Sequence, residues 1–255
     1  MGKLFRNAEA ERRIQERLFA TIANKHDRRI KRELREQYEA ASDAYESGRS
    51  IDSAVRASEG RLEDSITGVM RDSFIQIGTR VQKAIREATG KSWKRVEQMD
   101  PEFERALNQY IAKNSGRKIT QVSKATQKDV SRIIQRGIEE GLTNREVAAL
   151  IRKDGRIYSA YRSSMISRTE SHSAANSASM EQAKKSGVVK KKTWISALDD
   201  RTRAGDNSDF DHTSVESVRA ELPFIVSGEE LMYPGDPSGS AGNIILCRCA
   251  MGYEV

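Results

Sequence analysis

Three side chains in the C-terminal part of the sequence are of the types that bind zinc. Cys247 and Cys249 are the two cysteines of the chain, separated by one residue, and His212 is one of its three histidines. Side chains two residues apart in an extended strand point to the same side, so both sulfur atoms can approach one ion. Thiolates and an imidazole are ligands that zinc prefers. The candidates for a fourth ligand are a water molecule, His172, Asp206 and Asp211.

The spacing of the cysteines also permits an interpretation without a metal. Structural zinc sites usually place two to four residues between cysteines, whereas a single residue separates Cys247 from Cys249. Two buried thiols can act as small apolar side chains that bind nothing. A disulfide between them is unfavourable, because a ring closed over one residue strains the bridge. Zinc on His212, Cys247 and Cys249 is therefore the one cofactor that the sequence suggests, beside the alternative of unliganded thiols.

Charged side chains accompany the same histidine. They are Arg168, Glu170, Asp199, Arg201 and Arg203. A histidine acting as acid or base, with arginines stabilising a phosphate anion, would make this group the site of a nuclease or toxin-like enzyme. The same residues can instead form ion pairs and hydrogen bonds that hold together a small fold with little apolar core. We expect the structural network, and we assign no catalytic residue.

Helices must position most of these residues. Residues 8–46 are rich in Glu, Arg, Lys, Gln and Ala, which favour helix, and their apolar residues recur at helical spacing. Further helical segments are predicted over residues 51–109, 120–140, 143–153 and 156–185. A turn at Asn114–Gly116 should separate two of them. We expect the aromatic rings of Trp93, Phe103 and Tyr110 in the core.

Glycines and capping residues mark the predicted ends of the helices. Gly141 and Gly187 each follow a helical segment, where a left-handed cap is expected. Thr143 and Glu146 have the spacing of a capping box at a helix start. Residues that favour strands follow Gly187, and residues 244–246 also predict a strand.

The predicted fold class is α+β and mostly helical. An extended helical N-terminal region, residues 1–155, would precede a small α+β C-terminal module, residues 156–255. Hydrophobic residues make up 37% of the chain and charged residues 32%, so many helix faces must be solvated. No apolar run approaches the roughly 20 residues of a membrane-spanning helix, and the N-terminus lacks a signal-peptide stretch. The low cysteine content fits a reducing cytosol.

The net charge of +7 favours a polyanionic partner, either nucleic acid or an acidic protein surface. The densest basic run comprises Lys184, Lys185, Lys190, Lys191 and Lys192. These lysines are candidates for holding the phosphate backbone of double-stranded DNA without sequence preference. The alternative is a solvated strand edge, where lysine prevents mispairing.

The loop from Pro234 to Asn243 is rich in Gly and Ser, but it lacks the features of a phosphate-binding loop. No lysine follows its glycines, and no long helix is predicted after it. We expect an ordered turn in which Asp236 accepts hydrogen bonds from local amides.

The order of these motifs resembles that of the phage Mu F-like minor head proteins, also called the phage head morphogenesis family. The similarity begins at Arg168-Thr169-Glu170, includes the Asp-Arg-Thr-Arg and Pro-Gly-Asp-Pro motifs, and ends at Cys-Arg-Cys. The matching residues are Arg168, Glu170, Trp194, Asp199, Arg201, Arg203, His212, Pro234, Gly235, Asp236, Pro237, Cys247 and Cys249.

The resemblance implies a function in assembly, without enzymatic turnover. The protein would be a minor capsid protein of a tailed phage, present in few copies at the portal vertex inside the head. It would assist procapsid assembly, contact packaged DNA and influence its ejection. Its implied partners are the portal protein, with the major capsid or scaffolding protein as further candidates. Its location would be the virion head, and the host cytoplasm during assembly. The alternatives are a nuclease or toxin-like enzyme and a free nonspecific DNA-binding protein.

Overall fold

The computed structural model describes Leu4, residues 8–90 and residues 100–255. Among these residues the helices are α1 Ala8–Glu46, α2 Ile51–Arg56, α3 Glu59–Thr89, α4 Pro101–Glu139, α5 Asn144–Ser186 and α6 Ala241–Ile244. The strands are β1 Lys191–Ile195, β2 Val218–Arg219, β3 Phe224–Val226, β4 Glu229–Leu231 and β5 Ala250–Glu254. The predicted class, α+β and mostly helical, is confirmed. None of the described helices combines the length and apolar character needed to cross a bilayer.

Packing divides the chain into two compact units, and each unit is built from separated segments. The first unit comprises Met1–Ala23, Val69–Ile111 and Arg168–Val255. The second comprises Asn24–Gly68 and Ala112–Ser167. The sequence predicts a functional division between residues 1–155 and residues 156–255. Packing does not test a functional division, so this division stays a prediction.

The core of the first unit joins helices to a small sheet. Phe19 of α1, Ile77 of α3 and Trp194 of β1 are buried together with residues of the other strands. The antiparallel sheet has the order β2-β1-β5, and Trp194 pairs with Met251. Strands β3 and β4 form a separate hairpin. Its two-residue turn has positive φ at both Ser227 and Gly228, which suits the twist of paired strands.

The core of the second unit contains a buried arginine with its polar partners. Apolar residues of α1, α4 and α5 surround Tyr38, which is 1% exposed. The Arg162 guanidinium donates to the Tyr38 hydroxyl at 2.9 Å and to the Val122 carbonyl at 2.7 Å. It also pairs with Asp129 at 3.4 Å. The buried charge is therefore hydrogen-bonded, as burial of a charged group requires.

Two predicted helix breaks are wrong, and packing explains both. Helix α4 runs through Asn114–Gly116, where Ser115 is buried and donates to Glu63 at 2.8 Å. Helix α5 is continuous across residues 153–156. At Gly155 an added Cβ would lie 2.5 Å from the Cβ of Tyr38, so this glycine permits close contact between α5 and α1. Tertiary contact overrides the weak local preference for a turn.

Other local predictions are confirmed. The Thr143 amide donates to Glu146 at 2.8 Å and the Glu146 amide donates to Thr143 Oγ1 at 3.3 Å, which is a capping box. Gly141 and Gly187 both have positive φ where α4 and α5 end.

The core prediction for two aromatic rings is also confirmed, and one strand prediction is wrong. Phe103 and Tyr110 are each 6% exposed, whereas Trp93 lies outside the described residues. The strand predicted at residues 244–246 does not form. Helix α6 occupies its start, and Leu246 then turns the chain with a φ of +56°.

Candidate metal centre

One face of α5 carries polar side chains that hold the C-terminal segment of the first unit. This set, the polar row of α5, consists of Thr169, His172, Asn176 and Ser179. Residues three and four apart lie on the same face of a helix, so the set forms one line. At one end the Leu246 amide donates to Thr169 at 3.2 Å. At the other, the hydroxyls of Ser179 and Tyr253 are 2.7 Å apart.

His172 positions the Cys-Arg-Cys motif from the middle of this row. Its Nε2 lies 2.6 Å from the Cys249 carbonyl, so the protonated Nε2 donates to that oxygen. The Asn176 amide lies 3.4 Å from the same oxygen. Gly235 packs against the opposite ring nitrogen: an added Cβ would lie 2.6 Å from Nδ1, and φ there is +79°. A glycine at this position therefore lets the Pro-Gly-Asp-Pro loop approach α5.

The three predicted zinc ligands lie together in the first unit. His212 Nδ1 is 3.6 Å from Cys247 Sγ and 3.5 Å from Cys249 Sγ. Each of the three residues is at most 5% exposed. One ligand atom from each lies within 4.8 Å of the other two. The segments that supply them are far apart in sequence, so this meeting is a product of the fold.

A second layer of hydrogen bonds fixes the orientation of the imidazole. His212 Nε2 lies 2.9 Å from the Asn243 side-chain oxygen, so the proton is on Nε2 and the Nδ1 lone pair faces the sulfur atoms. The Asn243 amide donates to Glu229 at 2.9 Å and to the Val226 carbonyl at 3.3 Å. Trp194 packs edge-on against the imidazole with ring centroids 5.3 Å apart.

The two thiols have different electrostatic environments. Burial opposes ionisation of Cys247, yet its pKa lies well below the usual value because Cys249 donates to it and two histidines are near. Burial, together with the neighbouring Cys247, raises the pKa of Cys249 well above the usual value. The two buried thiols are therefore not equivalent.

A cavity of about 720 Å³ opens beside the cluster, and Cys247 is part of its wall. We call it the arginine cavity, after Arg168, Arg201, Arg203 and Arg248 in its lining. Glu16 and Asp200 also line it. Arg203 donates to the Ile245 carbonyl at 2.5 Å. Arg168 and Arg201 are exposed.

Residues 128–252 match the family described as Phage Mu protein F like protein. This region of the chain belongs to that family. The phage Mu F-like relationship that the sequence motifs indicate is thereby confirmed. Comparisons with curated proteins and with solved structures gave no match. The matched region begins within α4 and contains the polar row, the histidine, both cysteines and every arginine of the cavity.

Several Mu F-like motif residues make hydrogen bonds within the first unit. Arg248 donates to Asp199 at 2.7 Å, and this hydrogen bond keeps the pKa of the Asp199 carboxyl well below its usual range. Asp236 accepts from the amides of Met232 and Ser238 at 2.8 and 2.9 Å, which confirms its predicted capping role. Glu170 is 2% exposed. Asp199, Asp236 and Arg248 thus have structural roles near the cluster.

The three side chains predicted as possible fourth zinc ligands, His172, Asp206 and Asp211, do not join the cluster. The Asp211 carboxylate accepts from Thr213 and Ser214, and these hydrogen bonds lower its pKa to about 2. Asp206 is exposed in the loop that precedes the histidine. His172 uses Nε2 on the Cys249 carbonyl. Among the described residues the group of possible metal ligands consists of His212, Cys247 and Cys249.

The five lysines of the predicted basic run differ in exposure. Lys184, Lys190 and Lys191 are exposed, whereas Lys185 pairs with Asp100 and, at 3.3 Å, with Glu102. Lys192 requires a correction, because it is 1% exposed and therefore cannot lie on a DNA-binding surface. Its ammonium group donates to the Met232 carbonyl at 2.7 Å and lies 4.8 Å from the centre of the Phe224 ring. Burial lowers its pKa to about 8.

Sequence reasoning missed three residues that support the centre: Asn243, Glu229 and Arg248. Asn243 and Arg248 stand inside the motifs that carry the family resemblance, which was the available signal. Nothing in their spacing indicates which side chain each one contacts. Glu229 had no sequence signal, since its partners Ser240 and Asn243 follow it by 11 and 14 residues, outside any regular repeat.

Proposed function

We propose that the protein is a minor capsid protein of a tailed phage that acts in head morphogenesis. The observation that carries this proposal is the Mu F-like family match over residues 128–252. The protein would be present in few copies at the portal vertex, inside the head, where it assists procapsid assembly. Its partners would be the portal protein and, further, the major capsid or scaffolding protein.

We infer that this role involves binding without turnover. His212 is buried, and both of its ring nitrogens already face partners: Asn243 on one side and the two sulfur atoms on the other. A general acid or base must reach a substrate proton. The geometry therefore favours a supporting role for this residue over the nuclease or toxin-like alternative.

We further propose contact with the backbone of packaged double-stranded DNA. The exposed lysines Lys184, Lys190 and Lys191 and the net charge of +7 support this contact. Phosphate binding by such residues is independent of sequence and weakens as salt is added. This contact would let the protein influence the exit of DNA from the head.

Quantitative mass spectrometry of purified procapsids and mature particles tests the proposal. The amount of this chain is normalised to the portal protein in the same samples. We expect a low and fixed copy number in both particles. A major capsid protein from the same spectra serves as the reference for an abundant component.

The other outcomes distinguish the alternatives. Presence in procapsids alone would restrict the protein to a transient assembly role. Absence from both particles would overturn the structural role. In that case, cleavage of nucleic acid by the wild type but not by a folded His212→Ala variant would favour the enzyme, and salt-sensitive DNA binding without cleavage would favour the free DNA-binding protein.

A further inference from the structure

We propose that His212 Nδ1 and the sulfur atoms of Cys247 and Cys249 bind one zinc ion, and that its fourth ligand is an exchangeable water molecule facing the arginine cavity. The proposal concerns the folded chain itself and does not depend on the assembly role.

The distances between the ligand atoms fit a tetrahedral zinc ion. With Zn–S bonds of about 2.3 Å and Zn–N bonds of about 2.0 Å, tetrahedral angles place nitrogen and sulfur about 3.5 Å apart. The two nitrogen–sulfur distances in the structure are 3.6 and 3.5 Å. Both nitrogen–sulfur edges of the required tetrahedron are therefore already formed.

Unliganded thiols explain this arrangement less well. The Nδ1 atom of His212 has one lone pair, and that lone pair can accept one S–H proton. Both sulfur atoms nevertheless approach the same nitrogen at nearly equal distance. A cation between the three atoms accounts for both approaches at once.

The hydrogen bond made by His212 Nε2 is typical of a histidine that binds a metal through its other nitrogen. Imidazole ligands usually donate their second N–H to a carboxylate, a carbonyl or a similar group, which fixes the tautomer that binds the metal. Asn243 supplies this acceptor to His212, and Glu229 holds Asn243 in turn. The protein therefore keeps the Nδ1 lone pair directed at the ion position.

Charge and ligand type select zinc. All three ligand residues are buried, and two thiolates balance the charge of a divalent ion, so the occupied site carries no net charge into the core. Both thiol protons leave as the ion enters. Sulfur and imidazole ligands favour zinc over magnesium or calcium, which prefer oxygen.

The fourth coordination position is assigned to water because the described residues bring three ligands to this point. Cys247 lies in the wall of the arginine cavity, so we assign the fourth position to that side of the cluster. A zinc site with three protein ligands keeps its remaining position for an exchangeable ligand. The surrounding arginines favour replacement of the water by a small anion.

Metal content of the purified full chain is the first test. The chain is prepared without a histidine tag and with its thiols reduced, and zinc is counted by inductively coupled plasma mass spectrometry. We expect one zinc ion per chain, and a roughly tenfold or greater loss in His212→Ala and in Cys247→Ser. His26→Gln, a histidine variant in the second unit, should keep its zinc. Wild-type protein that is folded and reduced but takes up no added zinc would overturn the proposal.

Cobalt substitution of the wild type avoids variants that fail to fold. Co²⁺ in place of zinc should give the intense visible bands of a tetrahedral site and the near-ultraviolet bands of thiolate ligation. Titration with sodium azide should then shift the visible bands, because azide replaces the water. Weak octahedral bands would overturn the assigned ligand set, and tetrahedral bands insensitive to azide would overturn the exchangeable position.

Discussion

Asn243 is the residue on which the orientation of the proposed zinc ligand most directly depends. Replacement by Leu removes the acceptor for His212 and one of the two amides that donate to the Glu229 carboxylate, since the Ser240 amide remains. We expect zinc affinity to fall roughly 10- to 100-fold, as for loss of other partners behind a metal ligand. Competition with a chromophoric chelator measures the affinity. Asn24→Leu, at an exposed position of α1, is the matched control, and equal affinities in the two folded variants would contradict the assignment.

Lys192 predicts a dependence of stability on alkaline pH. Its pKa in the folded state is about 8, below the ordinary value of 10.5, because burial disfavours the charged form. Between these values the unfolded chain binds the proton and the folded chain has lost it, so the free energy of unfolding rises with pH. The contribution of this residue is up to about 3 kcal/mol.

Chemical denaturation from pH 7 to pH 10.5 checks this prediction. Lys192→Met should lack the rise, and Lys191→Met, at the exposed neighbouring position, should retain it. Comparison of variants cancels the ionisation of tyrosines, which occurs in all of them. The idea fails if the curves of Lys192→Met and the wild type run parallel.

The chemistry of single residues was easier to predict from the sequence than their partners were. His212, Cys247 and Cys249 could be selected because few residue types bind zinc and because the family order places them together. The hydrogen bonds that join His212 to Asn243 and Asn243 to Glu229 could not be predicted, because pairing between distant segments leaves no spacing pattern in the sequence. Lys192 was misassigned for a similar reason: a strand residue that faces the core looks identical in sequence to one that faces solvent.

At the scale of elements, Gly155 and Gly116 look alike in sequence but have opposite roles. Both lie within long helices, where Gly→Ala usually stabilises by about 1 kcal/mol. Around Gly116 the space is open, so Gly116→Ala should gain about that amount. At Gly155 the new methyl group would meet Tyr38, and we expect a net loss of about 1 to 2 kcal/mol. Urea unfolding of both variants measures the difference, and stabilisation of both would contradict the close contact.

Capping residues made helix ends predictable, whereas packing made helix continuity unpredictable. The capping box of Thr143 and Glu146 and the left-handed glycines Gly141 and Gly187 depend on local interactions, so they can be predicted directly from the sequence. The continuity of α4 through Ser115 and of α5 through Gly155 depends on what lies opposite each residue. The hydrogen bonds between the polar row of α5 and the C-terminal segment appear only in the fold.

For the whole molecule, the basic surface predicts salt-dependent binding to double-stranded DNA. Changing Lys190 and Lys191 to Gln should lower affinity and reduce the slope of log affinity against log salt by about 2, if each contacts one phosphate. Fluorescence anisotropy with duplexes of two unrelated sequences measures both quantities. Lys124 and Lys128, also exposed, provide a control pair with the same change of charge. Equal slopes for the two double variants would argue against a specific role for the run.

The polar row of α5 also determines where related chains can differ in length. An inserted residue turns the following part of a helix by about 100°, which would move His172 or Ser179 off the shared face. One inserted residue between Leu246 and Tyr253 would reverse the faces of β5. The spacing from Thr169 to Ser179 must therefore match the spacing from Leu246 to Tyr253. In related chains we expect both spacings to stay constant, and insertions and deletions to occur in loops such as residues 204–210.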